Sequence, residues 1–287
     1  IAPTGTGKTL SPLGLSEKYR IIFVCAARHV GLALAKSAIS IEKKVAFAFG
    51  CKDPGDIRLH YAAAKDYTRH RRTGGIFRVD NSVGDNVEIM ITDIASYLPA
   101  MYYMMAFNSP DKMLLYWDEP TITMDYEEHS FHEIIKKNWT ENQIPNIVLS
   151  SATLPKEHEI KPTVENFKTR FKGVVHTISS HDCKKSIPIL NKDGFVEMPH
   201  YAFDKYDDIQ RCVEHCSDYP TILRYFDIRE AASFINFVNV NKIAKDNETS
   251  DKYFKNIENV TQSTLKRYYL KALTMVSRDD WPSVHKH

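Results

Sequence analysis

The chain contains 287 residues, of which 43% are hydrophobic and 26% are charged. These values are ordinary for a globular protein, and they exclude a disordered, collagen-like or low-complexity chain. The 38 lysines and arginines nearly balance the 36 aspartates and glutamates, which leaves a formal net charge of +2. Any surface for a polyanionic partner must therefore be a local patch. The length predicts one large domain or two of ordinary size.

Five cysteines, an odd number scattered along the chain, predict reduced thiols rather than a disulfide framework. The longest apolar stretches, residues 21–27 and 97–107, fall short of the roughly 18 apolar residues that a transmembrane helix needs. No basic-then-apolar leader opens the sequence. We therefore expect a soluble protein without a membrane partner, in the cytoplasm or nucleus. Because a phosphate-binding motif follows Ile1 at once, we also expect a fragment of a longer protein.

Short apolar segments alternate with stretches of helical spacing over the first 150 residues. Strands are predicted at residues 21–27, 44–50, 87–91, 113–117 and 146–150, and helices at 30–41, from 95 onward and at 130–138. This alternation predicts an α/β fold with a mainly parallel sheet. Residues 51–85 interrupt it with a more polar segment that contains the basic run Arg69-His-Arg-Arg72.

The alternation weakens after residue 161. We place a linker at residues 186–200, between a first domain of residues 1–185 and a second of residues 201–287. In the second domain, residues 206–216, 229–238 and 263–275 predict helices. The apolar run Thr221-Ile-Leu-Arg-Tyr-Phe226 predicts a strand.

The strongest chemical signal is Ala2-Pro-Thr-Gly-Thr-Gly-Lys-Thr9, which matches the phosphate-binding pattern G-x-x-x-x-G-K-[ST] except for Ala2 at its first position. The backbone N–H groups of a glycine-rich loop can point together at a triphosphate, because no side chain blocks their approach. Lys8 would reach the β- and γ-phosphates of ATP, and the Thr9 hydroxyl would ligate Mg²⁺. The nucleotide-binding candidates are Thr4, Gly5, Thr6, Gly7, Lys8 and Thr9. The alternative is a flexible terminus that binds nothing.

A pair of acids forms the second signal, at the end of Leu114-Leu-Tyr-Trp-Asp-Glu119. A carboxylate at the end of a buried strand beside such a loop can hold Mg²⁺ through water, and the next carboxylate can orient or deprotonate an attacking water. We assign Asp118 to the metal and Glu119 to the water, so that Glu119, Lys8 and Asp118 are the catalytic candidates. Adjacent acids at a strand end are otherwise simple surface charge.

The third signal is Val148-Leu-Ser-Ser-Ala-Thr-Leu-Pro155, a strand that ends in small hydroxyl residues. Such residues suit hydrogen bonding near a γ-phosphate, and their position 33 residues after the acidic pair gives them weight. We expect Ser151, Ala152 and Thr153 to couple nucleotide state to the rest of the protein. The alternative is an ordinary serine–threonine turn.

In this order, A-P-T-G-T-G-K-T, W-D-E-P-T and S-S-A-T-L-P resemble motifs I, II and III of the superfamily 2 helicases, the DEAD/DEAH-box class. The resemblance covers residues 1–155 well and 220–240 loosely, and D-E-P-T leaves the subfamily open. It implies a RecA-like lobe followed by a partial second RecA-like lobe, with ATP between them and a nucleic-acid strand across both. The activity it implies is ATP-dependent remodelling of RNA or DNA, held single-stranded through its backbone.

Weaker correspondences extend the resemblance. Arg28 lies where motif Ia is found and Thr92 where motif Ib is found, so both would contact backbone phosphates. Each is otherwise a surface ion-pair partner or a helix cap. Residues 221–226 resemble the first strand of the second lobe. No stretch resembles motif VI, which supplies an arginine finger, so we expect this chain alone to hydrolyse ATP weakly or not at all. The divergent motif II would fit a viral source.

Two other functions remain open at this level. The chain could be a P-loop ATPase that acts as a switch or remodeller without unwinding, or a degenerate nucleic-acid-binding lobe. Three further groups of side chains are weighed against structural roles. The basic run at 69–72 is a nucleic-acid patch or a solvated loop, Cys212 and Cys216 are metal ligands or buried thiols, and His129 and His132 are metal ligands or part of a helix surface.

Overall fold

The computed structural model describes residues 1–2, 7–180, 186–243 and 248–285. The chain divides into two compact units, Ile1–Ser179 and Ser180–His287. The division falls six residues before the end of the first domain expected at residue 185. None of the helices in the described ranges is long and apolar enough to cross a bilayer.

The first unit alternates strands and helices along the chain. Its elements are α1 (Ser11–Leu15), β1 (Arg20–Cys25), α2 (Arg28–Ser40), β2 (Val45–Ala48), β3 (Arg58–Leu59), β4 (Tyr67–Arg69), β5 (Ile76–Val79), β6 (Ile89–Asp93), α3 (Tyr97–Met105), β7 (Met113–Asp118), α4 (Ser130–Glu141), β8 (Asn146–Ser150) and α5 (Lys161–Phe171). Every strand and helix predicted in the first 150 residues is present, with ends shifted by a few residues. The α/β prediction is confirmed.

Six of these strands form one sheet in the order β3-β2-β6-β1-β7-β8. Five are parallel, and β3 pairs antiparallel with β2 at one edge. Because parallel strands end at the same edge of a sheet, the residues that follow β1, β6, β7 and β8 share that edge. The mainly parallel sheet predicted from the sequence is therefore present.

Helices cover both faces of this sheet, and alternate residues of β1 show it. Ile22 and Val24 pack into one apolar cluster, which α3 joins through Tyr97 and Met101. The intervening residues 21, 23 and 25 pack into a second cluster that contains Leu34 of α2. The period of two along a strand explains this division, and burial on both faces explains why β1 is a continuous apolar run.

The second unit is mostly helical over its described residues. Its elements are β9 (Ile189–Leu190), β10 (Val196–Glu197), α6 (Pro199–Ala202), α7 (Tyr206–Asp218), α8 (Ile228–Val240), α9 (Ser250–Tyr253), α10 (Gln262–Met275) and α11 (Trp281–Val284). The three predicted helices are α7, α8 and α10. Their apolar faces enclose a core with large aromatic side chains, among them Phe234, Tyr268, Tyr269 and Trp281.

The strand predicted at residues 221–226 is wrong, because Pro220–Tyr225 is a 3₁₀ helix. Pro220 fixes a helical φ at its first turn, and the buried side chains Leu223 and Phe226 are three residues apart, which is the period of a 3₁₀ helix. The two strands described in this unit pair antiparallel. The described residues of the second unit therefore do not form the parallel sheet that a second RecA-like lobe requires.

The linker expected at residues 186–200 belongs instead to the second unit. It contains the β9–β10 hairpin, and its last three residues are buried in the unit, with Met198 and His200 each 1% exposed. A segment with buried side chains is part of a core, because a linker has few contacts to bury them.

Candidate functional site

The described end of the phosphate-binding motif has the backbone of a tight turn into a helix. Gly7 has φ of 86°, a left-handed conformation that glycine adopts without a Cβ penalty. A 3₁₀ turn, Lys8–Leu10, follows and leads into α1. The Lys8 Nζ donates a hydrogen bond of 2.6 Å to the carbonyl of Ala2, so the two ends of the motif lie together. The candidates Thr4, Gly5 and Thr6 lie outside the described residues.

The end of this motif meets the acidic pair. The Thr9 hydroxyl donates to Asp118 Oδ2 at 3.4 Å, although the two residues are 109 positions apart. Two residues before Asp118 on β7, the Tyr116 hydroxyl donates to the Lys8 carbonyl at 2.7 Å and fixes the start of the 3₁₀ turn against β7. The two predicted magnesium ligands are thus neighbours at the carboxyl end of β7.

The Asp118 carboxylate is poorly solvated. The residue is 6% exposed, and its Oδ1 is buried without a hydrogen-bond partner among the described residues. Burial, and then the neighbouring Glu119 carboxylate, raise the pKa of Asp118 to about 6, while Lys8 and Thr9 act in the opposite direction. A buried carboxylate in this state gains from a cation placed against its unpaired oxygen.

The residues present fit Mg²⁺, because carboxylate and hydroxyl oxygens are the ligands this ion prefers. Asp118 offers the unpaired Oδ1, and Thr9 offers its hydroxyl. No group of three His, Cys, Asp or Glu side chains in the described ranges could hold a metal by itself. A magnesium ion here would depend on phosphate or water oxygens for its remaining ligands, as it does in nucleotide sites.

Glu119 sits in a strained and well-supported position. Its φ is 51°, a left-handed value that costs a residue with a Cβ roughly 1 kcal/mol or more. Its backbone N–H donates to the Ser150 carbonyl at 2.7 Å, and its Oε2 accepts a hydrogen bond of 2.6 Å from the Ser151 hydroxyl. These two hydrogen bonds hold the Glu119 carboxylate in a fixed direction, and the left-handed backbone ends the extended path of β7 at this residue.

Ser151 connects the three motifs. It is fully buried, and its hydroxyl donates to Glu119 while accepting from the Thr153 N–H at 3.1 Å. The Thr121 hydroxyl lies 3.3 Å from the same oxygen. The Ser151 carbonyl accepts from the Ala2 N–H at 3.3 Å. Of the three coupling candidates, Ser151 makes these connections, whereas Ala152 is half-buried and Thr153 is exposed.

The two candidates for nucleic-acid contact differ in exposure. Arg28 is exposed at the first residue of α2, with its guanidinium 5.1 Å from the Phe49 ring centroid. Thr92 is fully buried, and its hydroxyl donates to the Asp93 carbonyl at 2.9 Å. The Thr92 hydroxyl therefore does not face solvent, because β6 is a central strand covered on both faces. A backbone-phosphate contact through Thr92 is not available in this conformation.

Sequence reasoning missed three residues at this edge of the sheet. Tyr116 and Thr121 lie inside and just after the acidic motif, but a hydroxyl carries no pattern that predicts its partner. Asp93 accepts from the N–H groups of Gly50 and Ser96 at 2.7 and 2.8 Å, and it joins the ends of β2 and β6. The sequence signal for Asp93 was an aspartate at the end of an apolar strand, where its carboxylate can accept from backbone N–H groups of the next turn.

The other weighed side chains have local structural partners. His129 is the N-cap of α4 and accepts from the Phe131 N–H at 3.1 Å, and His132 Nε2 lies 2.8 Å from the Thr123 carbonyl oxygen. The sulfurs of Cys212 and Cys216 lie 4.0 Å apart on α7, where both side chains pack against the core of the second unit.

Comparison of the chain with models of known protein families and with curated proteins finds no match. What this site does must therefore be inferred from its own chemistry.

Proposed function

We propose that the first unit binds and hydrolyses ATP with Mg²⁺, and that the protein uses this cycle as a helicase or translocase to remodel RNA or DNA. The observation that supports the proposal most strongly is the contact between Thr9 and Asp118. A lysine–threonine pair at the start of a helix and a buried carboxylate at a strand end are what a magnesium-bound triphosphate requires. The fold of the first unit, RecA-like in this proposal, supplies a parallel-sheet edge where such ligands bind.

Each side chain has a role that its surroundings favour. Lys8 would neutralise the β- and γ-phosphates as a point charge, and backbone N–H groups at the start of the 3₁₀ turn Lys8–Leu10 would add donors to them. Thr9 and Asp118 would hold Mg²⁺, which would shield the charge on the phosphate oxygens. The hydrogen bond from Ser151 fixes the direction of the Glu119 carboxylate, so that Glu119 can orient the attacking water and accept its proton.

Ser151 supports a coupling role because its hydroxyl touches both the acidic motif and the turn that follows β8. A change at Glu119 during hydrolysis would alter the hydrogen bond that Ser151 donates. That change reaches Thr153, which is exposed at the surface of the turn. For ATP to drive a change in nucleic-acid grip, both ligands must favour the same arrangement of this turn.

Two alternatives make different predictions. A P-loop switch or remodeller would hydrolyse ATP at a rate that single-stranded RNA or DNA does not change. A degenerate nucleic-acid-binding lobe would bind nucleic acid without binding nucleotide. The intact set of Lys8, Asp118 and Glu119 favours a working nucleotide site over the degenerate one.

The first experiment measures binding of a fluorescent ATP analogue with Mg²⁺ to the full chain and to three variants. Lys8→Ala should abolish binding, because the phosphates lose their point charge. Glu119→Gln should retain binding and lose hydrolysis, measured by phosphate release in a single turnover. Lys36→Ala is the matched control, since Lys36 is an exposed lysine on α2 that belongs to none of the three motifs. Equal loss of binding in the Lys8 and Glu119 variants would contradict the assigned roles.

The second experiment adds single-stranded RNA or DNA to the same samples. Because this chain is expected to hydrolyse ATP only weakly, the measurement is a single turnover with enzyme in excess. Under the proposal, oligonucleotide raises this slow rate in the unaltered chain and leaves Glu119→Gln inactive. An unchanged rate with both nucleic acids would favour the switch, and absence of nucleotide binding in the unaltered chain would overturn the proposal.

A further inference from the structure

In the chain, the residues between β3 and β6 form a β-hairpin of the first unit. Its strands β4 and β5 make a two-stranded sheet of their own. Seven residues make its strands, and all but Val79 are exposed. Val79 packs against the apolar core, the Asp80 N–H donates to the Asp66 carbonyl at 3.0 Å, and the Asn81 carbonyl accepts from the Tyr103 hydroxyl at 2.8 Å. The hairpin is thus fixed at its base, while its tip contributes nothing to the core.

The charged side chains of residues 67–79 are all positive, and two aspartates, Asp66 and Asp80, flank them at the base of the hairpin. Residues 67–79 contain four arginines and no carboxylate, namely Arg69, Arg71, Arg72 and Arg78. The whole chain has a net charge of only +2, so the remainder is net negative. None of the four guanidinium groups pairs with a carboxylate within 4 Å in the part of the chain that the structure describes. Arg78 interacts electrostatically with Asp80, and the Arg69 guanidinium lies 5.7 Å from the Tyr67 ring centroid. The concentration of cations at Arg71 and Arg72, toward the tip, favours a polyanion.

The turn that carries two of these arginines is held in one shape. The His70 N–H donates to the Gly75 carbonyl at 2.7 Å, and the Gly74 N–H donates to the His70 carbonyl at 2.9 Å. Gly74 has φ of 68°, which closes the turn without strain. Arg71 and Arg72 therefore start from a fixed backbone, which lowers the entropy cost of binding an extended anion.

Aromatic rings on the same hairpin distinguish nucleic acid from other polyanions. Phe77 is 74% exposed, the highest value among the described aromatic residues, and Tyr67 is 40% exposed. The strand pairing skips Phe77, since Thr68 faces Arg78 while Arg69 faces Ile76. This register shift leaves Phe77 without a partner residue on the opposite strand. Exposed rings beside arginines suit the stacking of unpaired bases.

We propose that this hairpin is a binding site for single-stranded nucleic acid, with Arg71 and Arg72 on backbone phosphates and Phe77 stacked on a base. The inference rests on the proposed nucleic-acid-dependent function and names a contact that the motifs do not supply. A paired duplex would leave Phe77 without a base face, because bases in a duplex are already stacked. Single strands are therefore the expected ligand.

The test measures binding of labelled oligouridylate and oligothymidylate to the full chain by fluorescence anisotropy across a salt series. Arg71→Glu with Arg72→Glu should weaken binding about tenfold or more and reduce the slope of log Kd against log salt concentration by about 1.4, since each phosphate contact on a single strand contributes about 0.7. The matched control is Lys36→Glu with Lys112→Glu, which changes the net charge equally at exposed sites outside the hairpin. This control should bind as the unaltered chain does.

Substitutions at Phe77 test the stacking contact without changing charge. Phe77→Ala and Phe77→Leu should each weaken binding about fivefold or more, and Phe77→Trp should retain it, with fluorescence quenched by the oligonucleotide. Polyglutamate and vesicles of mixed phosphatidylcholine and phosphatidylserine serve as polyanions without bases. Their binding should not respond to Phe77→Leu.

Several results would overturn the hairpin site. For the arginines, these are wild-type affinity in the Arg71/Arg72 variant, an equal loss in the lysine control, or a loss of vesicle but not oligonucleotide binding in the Arg71/Arg72 variant. For the ring, the refuting result is wild-type affinity in Phe77→Leu. Absence of oligonucleotide binding by the unaltered chain would also overturn the site. Nucleotide binding is measured in the same samples. If the unaltered chain binds no ATP analogue while the hairpin variants lose oligonucleotide binding, the ATPase proposal fails and the hairpin site stands.

Discussion

Replacement of Asp118 by asparagine should stabilise the ligand-free first unit and at the same time abolish the proposed binding of magnesium nucleotide. The carboxylate is buried, and one of its oxygens has no partner among the described residues. A neutral amide of the same shape avoids the cost of burying that charge. A residue selected for stability alone would not show this gain, so the sign of the change is informative.

The magnitude follows from the pKa of Asp118, which is about 6 in the folded chain against an ordinary value of 3.8. This difference corresponds to about 3 kcal/mol. Because the folded pKa is the higher one, the folded chain favours the protonated Asp118 carboxyl. The stability that this protonated form contributes is fully present below pH 3.8 and is lost as the pH rises through 6. Asp118→Asn should therefore be more stable by at most about 3 kcal/mol at pH 7.5, and the gap should shrink to about 0.5 kcal/mol near pH 4.

The assay is hydrogen exchange of peptides that cover β7, measured on the full chain with EDTA at both pH values. Exchange in this strand reports the opening of the first unit, whatever the second unit does. Asp111→Asn is the matched control, because Asp111 is exposed just before the opposite end of the strand. A variant that is less stable than the unaltered chain at pH 7.5, or a gap that does not change with pH, would refute the reasoning.

Three further predictions use other contacts. Ser151→Ala should retain nucleotide binding but lower the single-turnover rate at least tenfold, because Glu119 loses its hydrogen-bond donor, and Ser151→Thr should restore part of the rate. Gly31→Ala should destabilise the first unit by about 1–2 kcal/mol in urea unfolding, since its Cβ would lie 2.7 Å from a side-chain carbon. Gly14→Ala, which meets no atom within 4 Å in α1, should leave the stability unchanged or raise it by up to about 1 kcal/mol. Burial lowers the pKa of His200 to about 4, below its usual 6.5, so hydrogen exchange of α10 should show about 2 kcal/mol less stability at pH 5 than at pH 7.5, and a pH-independent value would contradict this.

The sheet could be predicted because its strands are buried on both faces. Residues 21–25 are all 1% exposed or less, and a fully buried strand must be a continuous apolar run. The convergence of Lys8, Asp118 and Ser151 could also be predicted, since parallel strands end at one edge. These inferences need only the chain direction and the period of the strand, both of which are local.

The errors arise where local pattern does not decide the structure. The run at residues 221–226 is apolar enough for a strand, but Pro220 before it and the packing of Leu223 and Phe226 on the core of the second unit select the 3₁₀ helix. Thr92 shows the same limit within the sheet. Along a central strand both faces are covered, so no alternation marks which hydroxyl reaches solvent. The orientation of a side chain there depends on neighbouring elements that come from distant parts of the chain.

The candidate site combines two features that cost folding energy and that the fold itself does not need. Glu119 holds a left-handed backbone, and Asp118 buries a carboxylate with an unpaired oxygen. They are consecutive residues. The hydrogen bond from Ser151 holds Glu119 in place, and the hydrogen bond from Thr9 partly satisfies the Asp118 carboxylate. Unfavourable features that cluster and are supported by neighbours mark sites where a ligand recovers the cost. A cation at this edge would satisfy the Asp118 oxygen, which accords with the magnesium site proposed for Asp118 and Thr9.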